Sequence, residues 1–386
     1  MPQSLAARAA FHEPHLLRVS RSFAYGIGRL DLSLKAAVGL GYLICRILDT
    51  IEDAPWANPK DQEAAFSEFN QFLKHRPSEV AVTEWRNRFA KDFNQINEGE
   101  QLLLNDAFRV FTEFHALSEG ERKVMLKPVL SMSAGMKYFT QRTRDLGRLK
   151  LKTLTEANAY CLFVAGVVGE LLTGLVGLEL KKDLKDLPRE SYVDGCHFGL
   201  FLQKINLLKD QWGDEKQGRY LVPNRKEMLL SVRTHAPNRK EMLLSVRTHA
   251  EKALQYLLSI PLVRTDYRLF CAWALYLGLA TLPILESSTA DESAPAKLSR
   301  TRALMLGTKI EFAIRDDNKL RALFNSLVGE AAKVSDLKIE AGAADLSNQS
   351  ALAQLNASEG VLQETLPLYE GEMNEAELTK VLLPEA

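Results

Sequence analysis

Apolar residues along this chain return at steps of three and four, and no run alternates convincingly at a step of two, so the pattern predicts helices throughout. A first short helix is expected over 16–30, carrying the polar cluster Ser20, Arg21 and Ser22. The next is expected over 33–53, stopping before Pro55. Segments near 60–75, 79–95 and 100–117 are rich in charge and read as an outer layer, and another helix is expected over 121–145. Residues 155–178, EANAYCLFVAGVVGELLTGLVGLE, are apolar nearly all round and should be central. Further helices are expected over 189–217, 251–260, 266–288 and 298–330. The expected fold class is therefore all-α. One helical domain would run over 1–335, and 336–386 would form an acidic, weakly structured tail of Ala, Ser, Gln and Glu.

Two of these helices carry polar stripes. In YLICRILDTIED, Asp49, Glu52 and Asp53 stand at i, i+3 and i+4 and share one face, with Tyr42 and Arg46 earlier on nearly the same line. Carboxylates that close repel one another, which suits either a salt-bridged, solvated surface or a Mg²⁺ site. The strongly apolar flanks argue for a helix that lines something. In the second helix Gln203, Asn206, Asp210 and Asp214 follow at steps of three, four and four. Phe198, Phe201, Leu202, Ile205 and Leu208 lie opposite, and Lys204, Lys209 and Arg219 are the nearby bases. Alone, that stripe could be the wet side of an amphipathic helix. Beside the first it gains weight, because Mg²⁺ takes one or two carboxylates and completes its shell with water and phosphate oxygens.

Other features bound the chemistry. Ala165, Gly166 and Gly169 thin one face of the central helix, and small residues at that spacing more often permit close helix contact than make room for a ligand. Residues 223–236, PNRKEMLLSVRTHA, recur unchanged at 237–250. Two copies are too few for a solenoid, so this reads as a recent duplication, a cloning event or an assembly error. Fourteen helical residues add about 21 Å and shift the phase by only about 40°, so little effect on chemistry is expected. The 49 bases cancel the 49 acids, which gives no bulk attraction for nucleic acid or an anionic membrane. Cys45, Cys161, Cys196 and Cys271 lie far apart in apolar segments and read as buried thiols in a reducing compartment. The N-terminus has no signal-like apolar run, and no uninterrupted run has the ~18–20 apolar residues of a membrane span.

These segments together resemble the head-to-head prenyl synthases, the squalene and phytoene synthases, over roughly residues 15–310. SRSFAYGI at 20–27 resembles the family's SxSF motif, and YLICRILDTIED its first aspartate-rich motif, in a form closer to the squalene synthases. YCLFVAGVVGELLTGL at 160–175 resembles the YCxxVAGxVG helix, and QKINLLKDQWGDEKQGRYLVP at 203–223 the second acidic motif. FCAWALYLGLATL at 270–282 is similar to a squalene-synthase segment.

The resemblance implies an all-α isoprenoid synthase domain around an apolar cavity. It implies Mg²⁺-dependent condensation of two farnesyl diphosphates through presqualene diphosphate, with NADPH reducing the final cation. Carried over by position, Asp49, Glu52, Asp53, Asp210 and Asp214 would bind Mg²⁺–diphosphate. Ser20, Arg21, Ser22, Arg46 and Arg219 would contact diphosphate or cofactor phosphate. Tyr42 and Tyr160 match tyrosines facing the reacting centre, and Gln203 and Asn206 match polar residues beside the second motif. Lys297 and Arg300 align with a basic stretch linked to NADPH. Other head-to-head products (dehydrosqualene, hydroxysqualene or phytoene) and a non-catalytic relative are the alternatives.

Three departures stand out. Gly213 replaces the usual Glu of the second motif, FCAWALY lacks the family's IPQ, and the membrane anchor of eukaryotic squalene synthases is missing. The last implies a soluble, bacterial-type, cytoplasmic form, with peripheral membrane contact for product release left open. There is no GxGxxG after a strand, and GLG at 39–41 sits in a helix; the family does not bind its dinucleotide by that fingerprint.

Overall fold

A computed structural model of the chain describes residues 4–94, 96–146, 150–151, 154–182, 187–188, 190–216, 219–222, 237–287 and 297–334. Its elements are α1 (Leu5–Val19), α2 (Arg21–Ile27), α3 (Leu32–Asp53), α4 (Pro59–Lys74), α5 (Glu79–Arg88), α6 (Ala90–Phe93), α7 (Glu98–Asn105) and α8 (Ala107–His115). There follow α9 (Glu119–Leu146), α10 (Leu154–Cys161), a π-helical turn (Leu162–Gly166), α11 (Val167–Lys182), α12 (Glu190–Lys216) and α13 (Pro237–Ser259). The last are α14 (Thr265–Ser287), α15 (Arg300–Ala313) and α16 (Asp317–Val334). The all-α expectation holds; among the described residues the single β-type feature is an isolated parallel bridge between Lys150 and Tyr220. The chain divides into two compact units, one of residues up to Thr140 with Leu171–Leu187, the other of Gln141–Glu170 with Pro188 onward.

In the first unit α3 packs against α1, α4, α7 and α8. Its C-terminus is closed by neighbours that satisfy carbonyls no further turn can reach. The Trp56 indole N–H donates to the Ile51 carbonyl at 2.7 Å, and the Gln62 amide donates to the Ile51 and Glu52 carbonyls at 3.0 Å each. The helix expected over 16–30 is in fact two, because Ser20 is extended at φ −163°. Arg46 stabilises the break by donating to the freed Val19 carbonyl at 3.2 Å. Asp106, at φ −97° and ψ 10°, likewise divides the segment expected at 100–117. The charge-rich helices α4 to α8 are more than an outer layer. They enclose Phe66, Phe69, Phe72, Trp85, Phe89, Phe93 and Phe111, all buried, with Phe72–Phe111 and Trp85–Phe93 ring centroids 5.4 and 5.5 Å apart. Charge dominates the composition of these segments, but their aromatics recur at helical steps and face inward.

In the second unit α12 packs against α10, the π turn, α13 and α14. The small residues bring backbones together, as expected. A Cβ at Gly169 would lie 1.9 Å from the Gly195 carbonyl oxygen, and one at Gly199 would lie 2.2 Å from that of Ala165. The helix expected over 298–330 bends at 314–316. There the Asp316 carboxylate accepts from the Asn318 and Lys319 amides at 3.0 and 3.2 Å and so starts α16. Buried Arg268 ties that corner down, donating to the Ile314 carbonyl at 3.2 Å, the Ile260 carbonyl at 2.7 Å and Asp317 at 2.6 Å. The second copy of the repeat forms the first part of α13, so that helix begins well before the expected 251. The first copy and the segment 336–386 lie outside the described residues. Two stretches, Glu156–Lys181 and Leu262–Ser287, are long and apolar enough to cross a bilayer by length and composition. Their most apolar windows are 61% and 56% buried, as core helices also are. All four cysteines are free and buried, and burial pushes each thiol pKa up.

Candidate active site

Between residues 36 and 51, α3 is buried at every position except Tyr42, Arg46 and Asp49. With exposed Asp53 these fall at i, i+4, i+7 and i+11, a single polar seam on a helix otherwise enclosed by protein. The sequence reading left open whether this stripe was a solvated surface. A surface helix would show a broad wet face rather than one line, so the stripe is a narrow opening on an otherwise enclosed helix.

Arg46 organises it. The guanidinium lies 3.5 Å from Asp49 Oδ2 and 3.5 Å from Glu100 Oε1 on α7, besides holding the Val19 carbonyl. Glu100 escaped the sequence reading because it belongs to another helix, and nothing local marks it. Burial pushes the Asp49 carboxyl up to about 7; the Arg46 charge opposes this, and the neighbouring Asp53 adds to it. Tyr42 is raised mainly by burial, and its hydroxyl hydrogen-bonds the Ser20 side chain. Its ring centroid stands 5.6 Å from that of Phe23 on α2. Ser20 thus meets the seam at the hinge between α1 and α2. The backbones of Arg21 and Ser22 begin α2, and their side chains lie outside the description. Glu52 is half-buried beside the seam.

On α12 the four expected residues also form one line, with Gln203 and Asp214 half-buried and Asn206 and Asp210 exposed. Lys209 reaches Asn206 Oδ1 at 3.4 Å and Asp210 Oδ2 at 3.5 Å. A Cβ at Gly213 would meet nothing within 4 Å, so packing does not require glycine there. The Arg219 amide donates to the Asp214 carbonyl at 2.9 Å, which turns the chain back beside the stripe. Tyr160 is buried on α10, and Lys297 and Arg300 are exposed at the start of α15.

Lys204 is a correction. It does not join the polar stripe as a nearby base but turns into the interior, wholly buried. Its amine bonds Asn158 Oδ1 on α10 and Ser245 Oγ on α13, and lies 2.9 Å from His249 Nε2. His249 Nδ1 stands 2.9 Å from His197 Nδ1, and the two rings stack at 5.0 Å. Loss of hydration brings the Lys204 pKa down to about 7 and that of His197 to about 3. The available signal was position: 204 falls among Phe201, Ile205 and Leu208 on the apolar side.

Among the described residues, no three His, Cys, Asp or Glu side chains converge as a preformed metal cage. The seam fits Mg²⁺ in a different way. Its carboxylates are hard oxygen donors, of which Mg²⁺ takes one or two while water and phosphate oxygens fill the rest of its shell.

The squalene/phytoene synthase family model matches residues 16–302. The squalene synthase of Eremothecium gossypii is 34% identical over 215 residues, covering 54% of this chain and 44% of that protein. That of Bos taurus is 30% identical over 210 residues, covering 54% and 45%. These alignments span less than half the length of either relative. Among solved structures, TcSQS in complex with the ligand BPH1237 gives a TM-score of 0.67 at 22% identity, covering 92% of this chain and 99% of that one. A dehydrosqualene synthase in complex with a ligand gives 0.52 at 17% identity, covering 81% and 98%. Both likenesses are of fold.

Proposed function

Since the chain belongs to the squalene/phytoene synthase family, we propose that it is a squalene synthase, joining two farnesyl diphosphates head to head through presqualene diphosphate and reducing the product with NADPH. The observation that carries this reading is the seam on α3: Tyr42, Arg46, Asp49 and Asp53 are the open line of a helix otherwise enclosed by apolar packing.

Asp49, Glu52 and Asp53 on α3, and Asp210 and Asp214 on α12, would hold Mg²⁺. Bound there, Mg²⁺ neutralises the diphosphate leaving group and so lowers the barrier to breaking its C–O bond. Arg46 and Arg219, with Ser20, Arg21 and Ser22, supply cationic and hydroxyl contacts to diphosphate oxygens. The apolar residues around the seam exclude water, and the allylic cation survives because nothing nucleophilic reaches it first. By the family resemblance Tyr42 and Tyr160 would each contact substrate; burial keeps the Tyr42 hydroxyl protonated, so it is a donor and not a competing nucleophile. Gln203 and Asn206 orient the second substrate. Lys297 and Arg300 offer exposed positive charge suited to a dinucleotide phosphate.

Asp49→Asn and Asp53→Asn test the reading. Each should cut Mg²⁺-dependent consumption of farnesyl diphosphate by about a thousandfold, roughly 4 kcal/mol of barrier, while helical circular dichroism is unchanged. A folded, fully active Asp53→Asn protein would overturn the metal assignment.

A further inference from the structure

Helix α15 leaves an apolar line open to solvent. Leu304 is 71% exposed, Met305 61% and Phe312 75%, while Leu306, Gly307 and Ile310 face inward. Leu304, Thr308 and Phe312 follow at i, i+4 and i+8, with Met305 beside them. The border of this line is basic. Lys309 lies on the same face, the Lys319 ammonium sits 4.3 Å over the Phe312 ring, and Lys297 and Arg300 stand exposed at the head of the helix. From Lys297 to Lys319 there are six bases against three acids, and Asp316 pairs with Lys319 at 3.6 Å, so the border keeps a net positive charge. A lone exposed leucine would need no explanation, but three large apolar side chains on one line under a basic border describe a docking face.

The chain carries a matching segment. Residues 335–386 hold ten acids and two lysines, which leaves forty-seven bases against thirty-nine acids in the rest of a chain that is neutral overall. The acids alternate with apolar residues, as in Val361, Leu362, Glu364, Leu366, Leu368, Tyr369, Glu370, Glu372 and Met373. This segment leaves α16 next to the face, because Glu330 in the last turns of α16 pairs with Arg302 in the first turn of α15 at 2.6 Å. The 24 residues between Val334 and Glu359 could span up to about 80 Å if extended, far more than the ~21 Å of a 14-residue helix. Tethering of that kind gives an effective concentration on the order of millimolar, so modest contacts suffice.

We propose that the acidic C-terminal segment, around residues 359–377, docks in cis on the apolar, basic-bordered face of α15. An anionic bilayer offers the helix similar complementarity, but the attached carboxylates would be repelled by it, so the segment itself is the better occupant.

The test uses the full chain with Met305→Cys, followed by the rate of thiol alkylation. The four native thiols are buried and contribute a slow background. Replacing Glu370, Glu372, Glu375 and Glu377 with Lys in the same protein should speed alkylation of the new thiol about tenfold. So should 0.5 M NaCl in the parent, independently of protein concentration. Val263→Cys, on an exposed site elsewhere, is the control and should not respond. Equal rates with and without the four lysines would overturn the proposal. Protection that grows with protein concentration, or that appears only with phosphatidylglycerol vesicles, would equally overturn it in favour of a second copy or a membrane.

Discussion

Lys204→Met isolates the most unusual electrostatic feature of α12. The amine meets three neutral partners on Asn158, Ser245 and His249. Burial lowers its pKa from 10.5 to about 7. Between those values the unfolded chain holds a proton that the folded chain does not, so stability rises with pH. It is greatest above 10.5, falls as the pH drops towards 7, and is flat below. Proton linkage from 10.5 to about 7 gives a gain of about 2–3 kcal/mol between pH 8 and pH 10 from this one group. Methionine fills the same volume without the titration, at the cost of about 1–3 kcal/mol for each partner left unsatisfied. Urea unfolding of wild type and variant at both pH values reads the difference directly, and the subtraction cancels every other titrating group. Lys204→Gln is the second variant if methionine prevents folding. The wild-type advantage should grow by about 2–3 kcal/mol from pH 8 to pH 10; parallel curves would mean that the buried amine keeps an ordinary pKa.

The remaining expectations concern the second motif and the repeat. Gly213→Glu enters open space, restores the family's usual carboxylate, and should raise kcat/KM at limiting Mg²⁺ by about tenfold, roughly 1.4 kcal/mol; an unchanged rate would show that Asp210 and Asp214 suffice. Removing residues 223–236 yields the same chain as removing 237–250, with Val222 still joined to a proline and α13 intact from that proline onward. Turnover should be unchanged, and Tm should stay within about 3 °C in differential scanning fluorimetry. A collapse of either would show that the duplicated residues carry packing of their own.

Both polar stripes were legible in the sequence because α-helical geometry converts spacing into direction without knowledge of any partner. Tyr42, Arg46, Asp49 and Asp53 needed only the 3.6-residue period, as did Gln203, Asn206, Asp210 and Asp214. The close approach at Gly169 was legible for the same reason, small residues on one face, whereas its counterpart at Gly199 was not singled out. What periodicity cannot supply is the neighbour. Glu100 joins Arg46 from α7, and the three acceptors of Lys204 come from α10 and α13, so neither could be read from one helix. Helix breaks at Ser20 and 314–316 were missed because each depends on a distant group capturing a carbonyl or on a local cap, and that at Asp106 because it is a change of backbone angles within a continuous apolar pattern. The aromatic core of α4 to α8 was hidden by composition, since charged residues outnumber the inward-facing rings.

The most direct measurement is product analysis by gas chromatography and mass spectrometry. Purified protein would receive farnesyl diphosphate and Mg²⁺, with and without NADPH. Squalene should form when NADPH is present, presqualene diphosphate should accumulate without it, and neither mixture should give product when Mg²⁺ is chelated. Dehydrosqualene or hydroxysqualene regardless of NADPH would contradict the assignment to squalene, and no product from farnesyl or geranylgeranyl diphosphate would contradict the catalytic reading of both acidic stripes.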